Sequence, residues 1–288
     1  MKAYKGKSKY IKYKFMIKML FLMTLTLIPS SAFAQGESCQ FLGNDLAEWI
    51  ILKNVLEGIV NDPLGNGGLK NNMWLTTVNT AGEVCAVVFS GSGRFDQWLA
   101  SRVISAQKAY TANSLSLSAG ARPGGTNIAL STANLYSAVQ PGGTLFGLQL
   151  SNPVNAADAY ARDQQGTTES FGTFGDPLKG KIIGGINVFG GGLALYTSAG
   201  QRLGALGVSG DTSCTDHIVA WKVRHALNLD NVPGGVSPTN DDNIVHDITL
   251  TAQGHPVSPS GFGHPTCDPT ATSIANNLPT THPIGPNP

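Results

Sequence analysis

The chain has 288 residues with 19 basic and 18 acidic side chains. Seven lysines (Lys2, Lys5, Lys7, Lys9, Lys12, Lys14 and Lys18) fall in the first 34 residues, which hold no acid, so the rest carries a net charge of about −6. An acidic body with scattered lysines lacks the electrostatic footprint of a phosphate-tracking protein, which argues against nucleic acid as a partner. Charged residues are 13% of the chain, about half the usual share, and 35 glycines with 16 prolines mark many turns without the composition of general disorder.

Residues 1–34 read as a signal peptide. A lysine-rich stretch precedes the apolar run Met19 to Ile28, followed by Pro29, Ser30, Ser31 and Ala32-Phe33-Ala34, an A-x-A cleavage site. The run is half the ~20 residues that a membrane-spanning helix needs, so the expected product is periplasmic or secreted, with no membrane span after signal removal. All four cysteines, Cys39, Cys85, Cys214 and Cys267, lie in the exported part, where disulfides form. Four thiols allow three pairings. Proximity in sequence favours Cys39–Cys85 and Cys214–Cys267, each closing a loop of about 50 residues worth about 4 kcal/mol in the chain-entropy model. No C-x-x-C is present, so structural staples outweigh a metal site built on the cysteines alone.

Residues 35–230 are expected to form one domain. Asn44 or Asp45 can cap a helix whose Leu52, Val55, Leu56 and Ile59 recur at helical spacing, ending before Asp62-Pro63. Met73 to Val78 and Val84 to Phe89 predict a hairpin around Asn79-Thr80-Ala81-Gly82. A long amphipathic helix follows from Phe95 to about Ser114, with Leu99, Val103, Ala106 and Tyr110 on one face. Residues 118–180 hold Pro-Gly-Gly turns and one strand-like run, Thr144 to Leu150, and read as an insertion that decorates the fold. A second hairpin joins Asn187–Thr197 to Arg202–Ser209 through Ser198-Ala199-Gly200-Gln201, and its glycines suggest close backbone packing or a ligand against the sheet. A helix over Thr215 to Asn228 buries Val219, Ala220, Val223, Ala226 and Leu227. Residues 231–288, rich in Pro, Gly, Asn and Thr, are expected as an extended C-terminal tail, tied down at Cys267 and by Ile244 to Leu250, and wrapping the domain or a neighbour.

Four stretches stand in a telling order: Trp74 to Val88, Lys108-Ala109-Tyr110-Thr111-Ala112, Gly190-Gly191-Gly192-Leu193-Ala194-Leu195, and Leu203 to Gly210 followed by Asp216. In order and spacing they resemble the GlcG/HbpS family of haem-binding proteins, also called the haem-degrading domain family and related to the PduO C-terminal domain. The likeness spans roughly residues 44–230, omitting 118–180. It implies an α/β (α+β), profilin-like fold: a five-stranded antiparallel sheet flanked by helices, assembled into homo-oligomers. It further implies binding of haem or another small planar ligand, with sensing, scavenging or storage as the role. The insertion, the tail and the four cysteines depart from the compact family domain and leave assembly and ligand identity open.

Haem binding needs an apolar slot, an axial donor and cations or amides for the propionates. His217, Trp221 and His225 lie at i, i+4 and i+8, within an arc of about 80° opposite the apolar face of the last helix. That stripe is expected to face a ligand or a neighbouring subunit, with His217 and His225 as candidate ligands to haem iron and Arg224 as a carboxylate partner. Its plainer reading is an oligomer interface. Ser209-Gly210-Asp211-Thr212, between strand and helix, could hold an anionic group. Asp216 serves as a dipole partner or cap, or meets a ligand, and Lys108 meets a propionate or an acid such as Asp216. The histidines His246, His255, His264 and His282 match no compact metal motif by spacing, and a metal site assembled from the tail stands as the lesser alternative. No G-x-S-x-G and no nucleophile-base pair is present, so no catalytic residue is assigned and binding outranks catalysis. A cofactor-free interaction module and a haem-degrading enzyme stand as alternatives, separated by a haemin titration.

Overall fold

The computed structural model describes residues 38–122 and 127–285. The expected signal peptide lies outside the described residues. Helix α1 (Leu46–Val60) begins where Asp45 accepts a hydrogen bond from the Glu48 amide, and buries Leu52 and Leu56. The Glu48 carboxylate reaches back to the amides of Phe41, Gly43 and Asn44, so both sides of the cap are satisfied. Strands β1 (Trp74–Asn79) and β2 (Val84–Phe89) form the expected hairpin, with Asn79 Oδ1 accepting from the Ala81 and Glu83 amides in the turn.

Strands β3 (Gly192–Tyr196) and β4 (Arg202–Ser209) complete a four-stranded antiparallel sheet in the order β2-β1-β4-β3. That is one strand fewer than the five the resemblance implies. Irregular chain occupies the two edges instead. Beside β2, Val84 N donates to Lys181 O and Gly180 N to Val84 O. Beside β3, a single parallel bridge joins Tyr196 to Asp230. β3 is also shorter than the expected Asn187–Thr197.

Helix α2 (Ala100–Ser114) crosses one face of the sheet. It starts five residues later than expected, because the Asp96 carboxylate gathers the Ser92 and Gly93 amides into a turn and leaves Phe95 and Trp98 exposed. Gly192 and Gly207 face each other across β3 and β4. A Cβ on Gly207 would lie 2.0 Å from Ser105 O, and one on Gly192 2.5 Å from Lys108 O. The paired glycines therefore let the α2 backbone rest on the sheet, the close packing their sequence suggested. Trp74, Val78, Val87 and Phe89 pack on this side with Val103, Ala106 and Ala109.

The opposite face, with Leu75, Val88, Leu193, Leu195, Leu206 and Val208, packs on α1 and on helix α3 (Ser213–Ala226). Two expectations are corrected here. Residues 118–180 contain no strand at Thr144 to Leu150 but 3-10 turns at Thr132–Leu135 and Ser137–Val139 and helical turns at Leu148–Ser151 and Ala156–Ala159. Their Leu135, Phe171 and Leu178 are buried, so the segment builds core rather than decorating it. The C-terminal segment is not extended throughout. It forms strands β5 (Thr249–Leu250) and β6 (Pro256–Val257) and a helix, α4 (Pro269–Thr281), capped by Asp268 and packed on α3 through Ala271, Ala275 and Leu278. Cys39 is bonded to Cys85 and Cys214 to Cys267, the pairing that proximity favoured.

Candidate functional site

The N-terminus of α3 gathers several of the residues chosen from sequence, and their own partners fill it. Lys108, reaching through the sheet side of α2, is buried and donates to Asp216 Oδ2 at 2.7 Å and to Val208 O at 3.0 Å. Asp216 Oδ1 accepts from the Asp211 amide at 2.9 Å. Burial pushes the Asp216 carboxyl up to about 6 against the pull of Lys108, and burial lowers the Lys108 ammonium. Lys108 thus meets the acid, and its ammonium is buried with it rather than presented at the surface. In the Ser209–Thr212 loop the Asp211 carboxylate takes the amides of Leu69, Asn71 and Thr212, while Gly210 O accepts from Asn71 and Gln97 side chains. The protein's own carboxylates occupy the anion position there. Ser209 is buried at the end of β4, opposite Trp74.

The stripe on α3 is not exposed as expected. His217 and Trp221 are fully buried, because the C-terminal segment covers the side of α3 that faces away from the sheet. His217 Nε2 lies 3.2 Å from Asn243 Oδ1 and accepts from the Ile244 amide at 3.3 Å, while its buried Nδ1 has no hydrogen-bond partner among the described residues. Burial depresses its pKa to about 3, so the ring is neutral. Trp221 Nε1 donates to His282 O, and Arg224 grips Asp242 with both terminal nitrogens at 2.7 Å. His225 is half-buried, with Nδ1 2.9 Å from Asp230 Oδ2 and its ring edge-on to His282. In this arrangement the His217 ring is enclosed by the protein's own chain and Arg224 is already paired with Asp242, so the stripe offers haem no exposed donor.

An open cleft lies elsewhere, a feature missed in the sequence. It encloses about 290 Å³ between α1, the end of β2 and two loops, lined by Trp49, Lys53, Phe89, Arg94, Glu169 and Phe171 together with glycines and hydroxyl side chains. Trp49 is fixed by a hydrogen bond to Val87 O and Lys53 by one to Phe89 O. Arg94 Nε is buried and meets no partner among the described residues, while its guanidinium lies 4.5 Å from the centre of the Phe95 ring. Lys53 is also paired with Glu57 at 2.6 Å, the Phe171 ring carries the Arg102 guanidinium at 3.6 Å, and Glu169 adds an acid to the lining. Arg94 together with the Trp49 ring is therefore the part of the cleft that suits a small flat anion, and the volume sits at the low end for small-molecule sites. No His, Met, Tyr or Cys is among the lining residues, so the cleft offers no ordinary axial donor to haem iron. No signal in the sequence joins these residues, which come from positions 49 to 173.

A second cluster was also missed. His246 and His264, set aside on spacing, each bring a nitrogen within 4.8 Å of the other and of Cys214 Sγ. His255 is exposed.

The family model described as "Haem degrading protein HbpS-like" matches residues 70–224. Among solved structures the chain is similar to the Klebsiella pneumoniae protein ORFY, of family-model DUF336. The identity is 22%, the match covers 70% of this chain and 97% of that one, and the TM-score is 0.41. It is also similar to the PduOC:heme complex at 20% identity, covering 65% of this chain and 97% of that one with a TM-score of 0.41. A search of curated proteins finds no match.

Proposed function

Because the chain belongs to the HbpS-like family, we propose that it is an exported protein that binds haem or another small planar anionic ligand, for sensing, scavenging or storage rather than catalysis. The observation that carries this reading is the family match over residues 70–224, which includes every strand of the sheet and most of α3. Export is supported by two disulfides, and no helix among the described residues is long and apolar enough to cross a membrane. The four-stranded core is read as a trimmed version of the profilin-like sheet. Homo-oligomers belong to the same proposal, with the exposed Phe95, Trp98 and Leu99 as the surface that supports them.

Within this reading the cleft is the place for a flat anion, with Arg94 for a carboxylate, Trp49 for the ring, and Lys53 available only by giving up Glu57. When bound there, haem would supply an iron centre without a histidine from the lining residues. His217 and His225 remain ligand candidates only for a chain whose C-terminal segment has moved off α3. The test is a haemin titration of the exported protein followed by Soret absorbance, with light scattering on the same sample. Expected is saturation at one haem per chain, weakened at least tenfold by Lys53→Ala with Arg94→Ala. A full-strength band in that pair, lost in His217→Ala with His225→Ala, would move the site to α3. No saturable band from a folded oligomer would overturn haem binding and leave the cofactor-free interaction module, whose contacts would then lie elsewhere than the buried α3 stripe. Loss of haem absorbance only with a reductant, yielding a biliverdin-like product, would instead indicate the degrading enzyme.

A further inference from the structure

The C-terminal segment brings two histidines to the disulfide that ties it down. Cys214 Sγ lies 3.8 Å from His246 Nε2, and the Nε2 of His264 lies 3.1 Å from Ser213 Oγ at the start of α3. Each histidine is oriented by its other nitrogen: His246 Nδ1 is 2.9 Å from Asn276 Oδ1 on α4, and His264 Nδ1 is 2.7 Å from Pro265 O. An Nδ1–H donated to a carbonyl oxygen leaves Nε2 bare, the orientation found when histidine binds a metal.

Cys214 is the sulfur already beside the two histidines, and cleavage of its bond to Cys267 would free a second sulfur next to them. Cys214 is the second residue of α3, where the helix N-terminus stabilises a thiolate, and its own amide points at Cys267 Sγ at 3.3 Å. Tetrahedral zinc with sulfur at about 2.3 Å and nitrogen at about 2.0 Å needs donors roughly 3.5 Å apart. Cys214 and His246 already stand near that separation, and the half-buried His246 and Cys267 leave a path from solvent.

We propose that Cys214, Cys267, His246 and His264 form a redox-gated Cys₂His₂ site for a zinc-type divalent cation. A dithiol reductant gives two electrons and two protons to the Cys214–Cys267 bond and leaves as its own disulfide. The two thiols then release two protons as one cation takes two sulfurs and two Nε2 atoms. In the oxidised chain the disulfide holds the C-terminal segment to α3, and in the reduced chain the metal does so. Haem plays no part in this site.

Cobalt(II) is the probe, added to the full chain carrying Cys39→Ser and Cys85→Ser so that the other disulfide contributes no thiols. Reduction with a phosphine, which does not compete for the metal, should produce thiolate charge-transfer and tetrahedral ligand-field bands saturating at one cobalt per chain and displaced by zinc. The oxidised chain should give none. His246→Gln and His264→Gln should each weaken cobalt binding at least tenfold and alter the ligand-field bands. Bands unchanged in both variants, or absent from the reduced chain, overturn the proposal. A reduced chain that loses its circular dichroism and does not regain it with zinc also contradicts it, because the metal is proposed to replace the staple.

Discussion

The two long irregular segments, residues 118–190 and 231–285, are docked alike and secured differently. Each presents an aspartate to a buried arginine on a body helix. Asp176 takes Arg102 of α2 at 2.9 and 2.5 Å, and Asp242 takes Arg224 of α3 at 2.7 and 2.7 Å. Each arginine also lies against an aromatic ring, Phe171 for Arg102 and Trp221 for Arg224. The middle segment has no covalent tie to the body, whereas the C-terminal segment has Cys214–Cys267. The difference teaches that a stretch without hydrophobic periodicity becomes core when it carries the partner of a buried charge, since an unpaired guanidinium inside the protein is strongly destabilising.

The largest expected effect comes from removing those partners. Asp176→Ala should cost about 3–5 kcal/mol in urea unfolding and expose residues 118–180 to limited proteolysis. Asp242→Ala should cost a similar amount, but cleavage in the C-terminal segment should increase sharply only after reduction, when the disulfide no longer returns the segment to its place. Equal protease sensitivity of the two variants under oxidising conditions would remove the distinction. Replacing the whole pair, Arg102→Met with Asp176→Leu, should be much milder than Asp176→Ala, because no charge is left buried. Next in size, Cys214→Ser with Cys267→Ser should lose up to about 4 kcal/mol, the chain-entropy value for its loop, while leaving the middle segment protected.

Acid separates the two segments more gently. His217 is neutral under the C-terminal segment with its pKa depressed to about 3 from an ordinary 6.5. A depressed histidine contributes stability that is present above its unfolded pKa and lost as pH falls toward the folded value. Stability should therefore decline from about pH 6.5 toward 3, with the C-terminal segment losing hydrogen-exchange protection first, and His217→Gln should flatten that decline. Residues 118–190 contain no histidine. The smallest effect is Asp268→Ala, which removes the side-chain cap of α4 together with its contact to the Gly68 amide and should cost about 1 kcal/mol, felt at the C-terminal segment and at Gly68 but not in residues 127–190.

Much of the body was legible from spacing. The α1 cap, the first hairpin, β4 and α3 fall within two residues of their sequence positions, because each carries its own periodicity and turn residues. The Lys108–Asp216 contact was one of two readings of that lysine, and the helix-start acid is the one it meets. What failed depended on chain far away. The outward side of α3 looked open because its apolar face was judged from the helix alone, and the chain that covers His217 and Trp221 was read as extended although Asp268-Pro269 and the helical spacing of Ala271, Ala275 and Leu278 mark α4 within it. A five-stranded sheet could not be checked locally either, since the edges are taken by Gly180, Lys181 and Asp230 through isolated contacts. Of the metal-competent cluster, spacing showed nothing, because Cys214, His246 and His264 are successively 32 and 18 residues apart and meet only through the fold.

The proposed binding of a planar anion in the cleft leaves the C-terminal segment docked on α3. Hydrogen exchange with and without saturating haemin tests it most directly. The account predicts saturable protection at residues 89–94 and 169–173 with no change at residues 217–225 and 242–246. Haemin binding that deprotects residues 242–246, or that leaves every segment unchanged, would contradict it.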